Sequence, residues 1–192
     1  MSKIQRFVLL SHTRRLFFLL FLFFALISHG IGNFTIFTSS ENRTLPTEKP
    51  EFIQIPSLSL ILPMQTARIQ DDQWLITETP AAFFGEKSAF PGTPGTTIVF
   101  AHARQGLFAD LPVLHPDNII VLQTHTMLYF YQIKEKKIID PTDVGFLSKP
   151  TESHQNMLVV FTCYGKADTK RIVFFAPLRG IVPIREYKKS YI

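Results

Sequence analysis

From Phe52 onward the apolar segments of this chain are short. They are rich in Val, Ile, Phe and Tyr, and Pro, Gly or Asp separates them. That spacing is a strand-and-turn pattern. It predicts strands at Phe52–Ile55, Ser59–Leu62, Trp74–Thr77, Thr97–His102, Ile119–Thr124, Met127–Ile133, Lys137–Asp140, Met157–Tyr164 and Arg171–Pro177. The charged run Lys134-Glu135-Lys136 reads as a hairpin turn. Short helical turns are expected at Pro80–Phe84, Phe108–Leu114 and Asp143–Leu147. So many short strands around one core imply an all-β fold, a closed or nearly closed barrel.

The chain has 192 residues and a single cysteine, so no intramolecular disulfide and no multi-cysteine metal site can form. The barrel must hold together by packing alone. The formal net charge is +5, and Lys3, Arg6, Arg14 and Arg15 supply four of those charges at the N-terminus. The remainder is nearly neutral, which argues against a nucleic-acid-binding surface. Leu16–Ile27 contains no polar residue and the next ten contain no charge. Together they reach the roughly 20 residues that cross about 30 Å of hydrocarbon as a helix. The division expected is a basic cytoplasmic N-terminus over 1–15, an uncleaved transmembrane signal anchor over 16–37, a Pro-containing linker over 38–51, and the β-barrel over 52–192. The barrel then lies outside the cell membrane as the extracytoplasmic part of a single-pass protein.

Three side chains could make a site. Cys163 lies near the end of the apolar strand Met157–Tyr164, where a lone cysteine ordinarily packs as a small hydrophobe. His102 ends the strand Thr97–His102, where a histidine is commonly a structural hydrogen-bonder. Arg171 opens the next strand and alone would be a solvated edge charge. In combination they satisfy the needs of acyl transfer. A thiolate nucleophile requires a base or cationic partner, and a tetrahedral oxyanion requires a fixed donor, which arginine supplies.

With those residues, the chain resembles the sortases, membrane-anchored cysteine transpeptidases. The resemblance runs from about Ile55 to Pro177 and rests on several short motifs. These are Ile55-Pro56, Pro91-Gly92-x-x-Gly95, Phe108-x-x-Leu111-x-x-Leu114 after His102, Tyr129-x-Tyr131, Pro141-Thr142-Asp143, and Thr162-Cys163 followed by Arg171. It implies an eight-stranded β-barrel with short helices. It implies Cys163 as nucleophile, His102 as general acid and base, Arg171 as oxyanion stabiliser, and Thr162 in substrate binding. It implies no cofactor and no metal. The partners would be exported proteins carrying a C-terminal sorting motif and an amine acceptor, a cell-wall peptide or a pilin lysine. The chain departs from the family in reading Ala101-His102-Ala103 for Gly-His-Arg, with Arg104 one residue further on. Val159-Val160 replaces Thr-Leu, and seven residues separate Cys163 from Arg171. Each member of the expected triad is present.

Two other readings stay open on the residues alone. One is a secreted thiol hydrolase using the same three side chains. The other is a non-catalytic membrane-anchored β module with Cys163 buried and inert. His115, His125 and His154 fall in polar turn-like segments without the spacing of a metal pair. Asp71-Asp72 and Asp140 with Asp143 could bind a cation such as calcium, although adjacent surface carboxylates are usually just solvated. Trp74 reads as a core or rim aromatic, and Asn42-Arg43-Thr44 as a chance acceptor pattern.

Overall fold

A computed structural model describes residues 45–70, 73–143, 145 and 156–189. The chain separates into two compact units, Met1–Arg43 and Thr44–Ile192. The first, with the expected anchor, lies outside the described residues, as do Asp71, Asp72 and His154. Among the described residues no helix is long and apolar enough to cross a membrane.

The described strands are β1 (Phe52–Ile55), β2 (Leu60–Ala67), β3 (Ile69–Gln70), β4 (Gln73–Trp74), β5 (Ala82–Gly85), β6 (Gly95–Phe100), β7 (Ile119–Gln123), β8 (Met127–Gln132), β9 (Glu135–Ile139), β10 (Asn156–Tyr164) and β11 (Lys170–Pro183), and Ile184–Lys189 forms a short helix, α1. Eight strands close into a barrel in the order β10-β6-β5-β2-β1-β7-β8-β11, and β11 pairs back onto β10 to complete the ring. Closure leaves no edge in the ring, which removes the usual hazard of an all-β chain. Two contacts in the ring are parallel, β2 with β5 and β6 with β10, and the others are antiparallel.

Strand alternation divides the apolar residues between two clusters. Ile53, Ile55, Leu62, Val99, Ile120, Leu122, Leu158, Val160, Ile172 and Phe174 point into the barrel and fill it. Phe108, Leu111 and Leu114 join them from the segment after β6, so their spacing in the sequence marks one buried stripe across a loop and a 3-10 turn at Leu111–Val113. Residues of the opposite parity, Phe83, Ile98, Phe100 and Phe161, make a second cluster on the outer face with Ala67 and Trp74.

The Pro-Gly turn before β6 packs on the paired tyrosines of β8. Gly92 donates its N–H to the Tyr131 hydroxyl at 3.3 Å, and its carbonyl accepts from Asn156 Nδ2 at 2.9 Å. Burial pushes the Tyr131 phenol up to about 12. Residues 45–51 lie against the same end of the barrel. Pro50 is buried, and the Glu48 carboxylate accepts from the Thr126 N–H at 3.1 Å and from the Thr126 hydroxyl at 3.0 Å. The Thr124 hydroxyl foremost, and then Thr126, hold the Glu48 carboxyl below its ordinary range.

Three sequence expectations are corrected. Pro80–Phe84 is no helical turn, because Ala82–Gly85 is a strand filling the ring between β2 and β6. There is no hairpin at Lys134-Glu135-Lys136. The Lys134 N–H donates to Phe175 O at 2.9 Å, and β9 carries the line of β8 onward along the first half of β11. The lysines are accommodated with their ammonium groups over rings, Lys136 Nζ 5.7 Å from the Phe174 centroid and Lys137 Nζ 5.4 Å from the Phe175 centroid. The strand expected at Trp74–Thr77 is only the two-residue β4, paired with β3. Of the turn expected at Asp143–Leu147, Asp143 and Gly145 are described, linked by the Gly145 N–H donating to Asp143 Oδ1 at 3.2 Å.

Candidate active site

The site follows from the parity of three neighbouring strands. In β6 and just beyond it, Val99 and Ala101 face the barrel interior, which turns Ile98, Phe100 and then His102 outward. In β10, Leu158, Val160 and Thr162 face inward, and Phe161 and Cys163 outward. In β11, Ile172 and Phe174 face inward, leaving Arg171 on the outside.

Register brings the three to one level. The parallel β6–β10 pair ends with Phe100 opposite Phe161, and His102 and Cys163 each lie two residues further on. On its other side, Cys163 is the direct antiparallel partner of Arg171. Residues so paired have Cβ atoms about 4.5–5.5 Å apart on one face. Cys163 therefore stands between the histidine-bearing and arginine-bearing chains, on the outer face, at the end of the barrel opposite residues 45–51. Cys163 is partly exposed and free.

Thr162 is not part of that face. It is 2% exposed, and its hydroxyl donates to Ala101 O at 2.7 Å. That bond joins the residue before Cys163 to the residue before His102. The histidine backbone is held further by its carbonyl, which accepts from the Arg104 N–H at 2.9 Å and the Phe108 N–H at 3.1 Å. Because Phe108 is fully buried, the position of His102 is tied to the core.

The floor beside the site is aromatic. Trp74, Phe100 and Phe161 stack in a row with centroids 5.1 Å apart at each step. Phe83 flanks Phe100 at 5.6 Å and meets the His102 ring edge-on at 6.4 Å. Gly85 makes room for the indole, since a Cβ there would come within 2.9 Å of Trp74 Cζ2. An apolar floor raises the cost of a bare charge and makes fixed polar partners count for more.

Arg171 folds onto its own turn, Nη1 donating to Asp168 O at 3.0 Å and to Lys170 O at 2.9 Å. The guanidinium has five N–H donors, so these bonds leave others for a ligand. On the far side of His102, Glu78 forms an ion pair with Arg104 and places Oε1 4.0 Å from His102 Nε2. The hydrogen bond from Arg104 is the main reason the Glu78 carboxyl sits below its ordinary value, with the charges of Arg104 and His102 adding to it against desolvation. Sequence reasoning missed this pair, because Glu78 lies in the polar run Thr77–Pro80 and nothing local links it to Arg104. It likewise missed the three-ring stack, whose members lie on three separate strands.

The family model for the sortase domain matches residues 53–179. Among solved structures, the chain is similar to the SrtA sortase from Actinomyces oris, with a TM-score of 0.62 and 15% identity over 72% of this chain and 84% of that one. It is similar to sortase E1 from Streptomyces coelicolor, solved with a tripeptide in the active site, with a TM-score of 0.61 and 15% identity over 73% and 94% of the two chains. A third is the sortase C from Clostridium perfringens with the C-terminal cell wall sorting motif, with a TM-score of 0.58 and 19% identity over 71% and 74%. No curated protein matches by sequence. The family match spans most of the barrel, and the ring of eight strands is the fold of those structures, so this chain belongs to the sortase family.

Proposed function

We propose that this sortase is an active cysteine transpeptidase, with Cys163, His102 and Arg171 as its catalytic residues. The observation that carries the reading is their convergence. Three adjacent chains of one barrel present a thiol, an imidazole and a guanidinium on the same face and at the same rim. A scaffold of paired strands holds such groups more tightly than loops would.

In the first half-reaction the Cys163 thiol gives its proton to His102, its sulfur attacks a peptide carbonyl, and a C–S bond forms. Arg171 stabilises the oxyanion of the tetrahedral intermediate. The C–N bond then breaks, and the amine leaves with a proton from His102. In the second half-reaction an incoming amine gives its proton to His102 and attacks the thioester. The new C–N bond forms, the C–S bond breaks, and His102 returns the proton to the sulfur, which restores the thiol. The substrate class is exported proteins with a sorting motif near the C-terminus, and the acceptor is a cell-surface amine. The solved relatives carrying a tripeptide and a sorting motif support a peptide ligand. The apolar run Leu16–Ile27 and the uncharged stretch that follows it support an anchor that holds the barrel outside the cell membrane.

The test incubates the protein with a panel of sorting-motif peptides, with and without an added amine. Mass spectrometry should find an acyl adduct on Cys163 and, with the amine, an amide product. Cys163→Ala should abolish both. Arg171→Ala should lower turnover by about two to three orders of magnitude, the usual effect of losing one oxyanion donor. Hydrolysis without amide product would make the protein a thiol hydrolase.

A further inference from the structure

The imidazole of His102 has a carboxylate neighbour that neither the acyl-transfer scheme nor the resemblance uses. The residue is about one quarter exposed, yet its Nε2 is shielded from solvent and has no hydrogen-bond partner. The acceptor facing that nitrogen is Glu78 Oε1 at 4.0 Å. Glu78 is exposed, but its other carboxylate oxygen is engaged by Arg104 Nη1. Arg104 is itself fixed, since its backbone N–H donates to the His102 carbonyl at 2.9 Å. The turn that follows His102 thus returns a guanidinium to hold a carboxylate against the histidine ring.

We propose that Glu78 is a positioning residue for His102, accepting the Nε2–H and so leaving Nδ1 as the nitrogen that exchanges protons in the reaction. A neutral imidazole carries one N–H, and the hydrogen bond made by one nitrogen decides the role of the other. A ring anchored at one nitrogen also loses rotational freedom, which a general acid beside a strand-end thiol requires. At 4.0 Å the contact is longer than a hydrogen bond. Glu78 is an exposed side chain, and in solution it closes that gap to hydrogen-bond distance. Among the described residues, the charged and titratable groups placed around the ring include Glu78 from the segment between β4 and β5, Arg104 after β6, Cys163 on β10 and Arg171 on β11. Of these, Glu78 is the one acceptor of full negative charge facing the ring. The proposal's catalytic consequence rests on the transpeptidase reading, and its structural content does not.

The experiment is proton NMR on the purified full chain with nitrogen-labelled histidine, with His102→Ala to assign the signal. The wild type should show a downfield, slowly exchanging Nε2–H from His102. Glu78→Ala should lose it, Arg104→Ala should broaden it, and Glu78→Gln, which keeps an acceptor oxygen, should retain it at a less extreme position. In parallel, the alkylation rate of Cys163 should fall by about tenfold in Glu78→Ala, part of the effect of an acid–base group, and recover partly in Glu78→Gln. A His102 proton on Nδ1, or an Nε2–H signal unchanged in Glu78→Ala, would overturn the proposal. A Cys163 inert in the native wild type, with the Nε2–H signal still dependent on Glu78, would support the Glu78–His102 pairing while removing the transpeptidase reading.

Discussion

At the scale of single residues, several motif positions have structural reasons that local sequence does not state. Gly92 has φ +79° and its missing Cβ would lie 2.4 Å from Tyr129 Cε1, so it serves both the turn and the seating of the tyrosine ring. Gly106 has nearly the same φ, +76°, but a Cβ there would meet nothing within 4 Å. The pair separates backbone cost from packing cost. Gly106→Ala should lose about 1 kcal/mol, the backbone part alone. Gly92→Ala should lose roughly 1–3 kcal/mol more through overpacking, read from denaturant midpoints at constant slope. Equal losses would mean the Tyr129 ring yields freely.

At the scale of elements, the strands that were legible in sequence are those whose own side chains alternate or run apolar, such as β1, β7, β8 and β10. The misread ones depend on partners. Pro80 followed by two alanines resembles a helix start, and only pairing with β2 and β6 makes Ala82–Gly85 a strand. Lys134-Glu135-Lys136 resembles a turn until the long β11 requires a neighbour along its first half. The three candidate site residues stand out in the sequence because each sits at a strand end next to an apolar run. Their common outward parity does not, since it depends on which face of each strand the barrel encloses. Thr162 shows the difference. Expected to meet substrate, it ties β10 to β6 through Ala101 O. Thr162→Val, nearly isosteric, should leave that buried carbonyl unpaired and lose about 1–3 kcal/mol of stability. Because the bond lies between the residues preceding His102 and Cys163, the same variant should slow acyl-adduct formation, whereas an unchanged rate would show that the strands hold register without it.

At the scale of the whole molecule, closure of the ring and burial of aromatic residues replace the disulfides that this chain cannot form. Unfolding should therefore be independent of reductant. The buried phenol of Tyr131 adds a pH limit. Its value rises from 10 to about 12 on folding, so the folded state keeps the proton over a range where the unfolded chain loses it. That contribution is fully present below pH 10 and is lost as pH rises from 10 toward 12. Alkaline titration of the melting temperature should show a decline in that window that is smaller in Tyr131→Phe, and equal declines would place the cause elsewhere. Residues 45–51 and α1 meet the barrel at one end, and Cys163, His102 and Arg171 lie at the other. The central claim is that the outward face at that rim presents a reactive thiol rather than a packed one. Alkylation of Cys163 in the native protein tests it most directly, followed by mass spectrometry and compared with the unfolded chain and with His102→Ala. Cys163 should be modified in the native fold at a rate that falls when His102 is removed, whereas a thiol that reacts only after unfolding would mean that it is packed and inert.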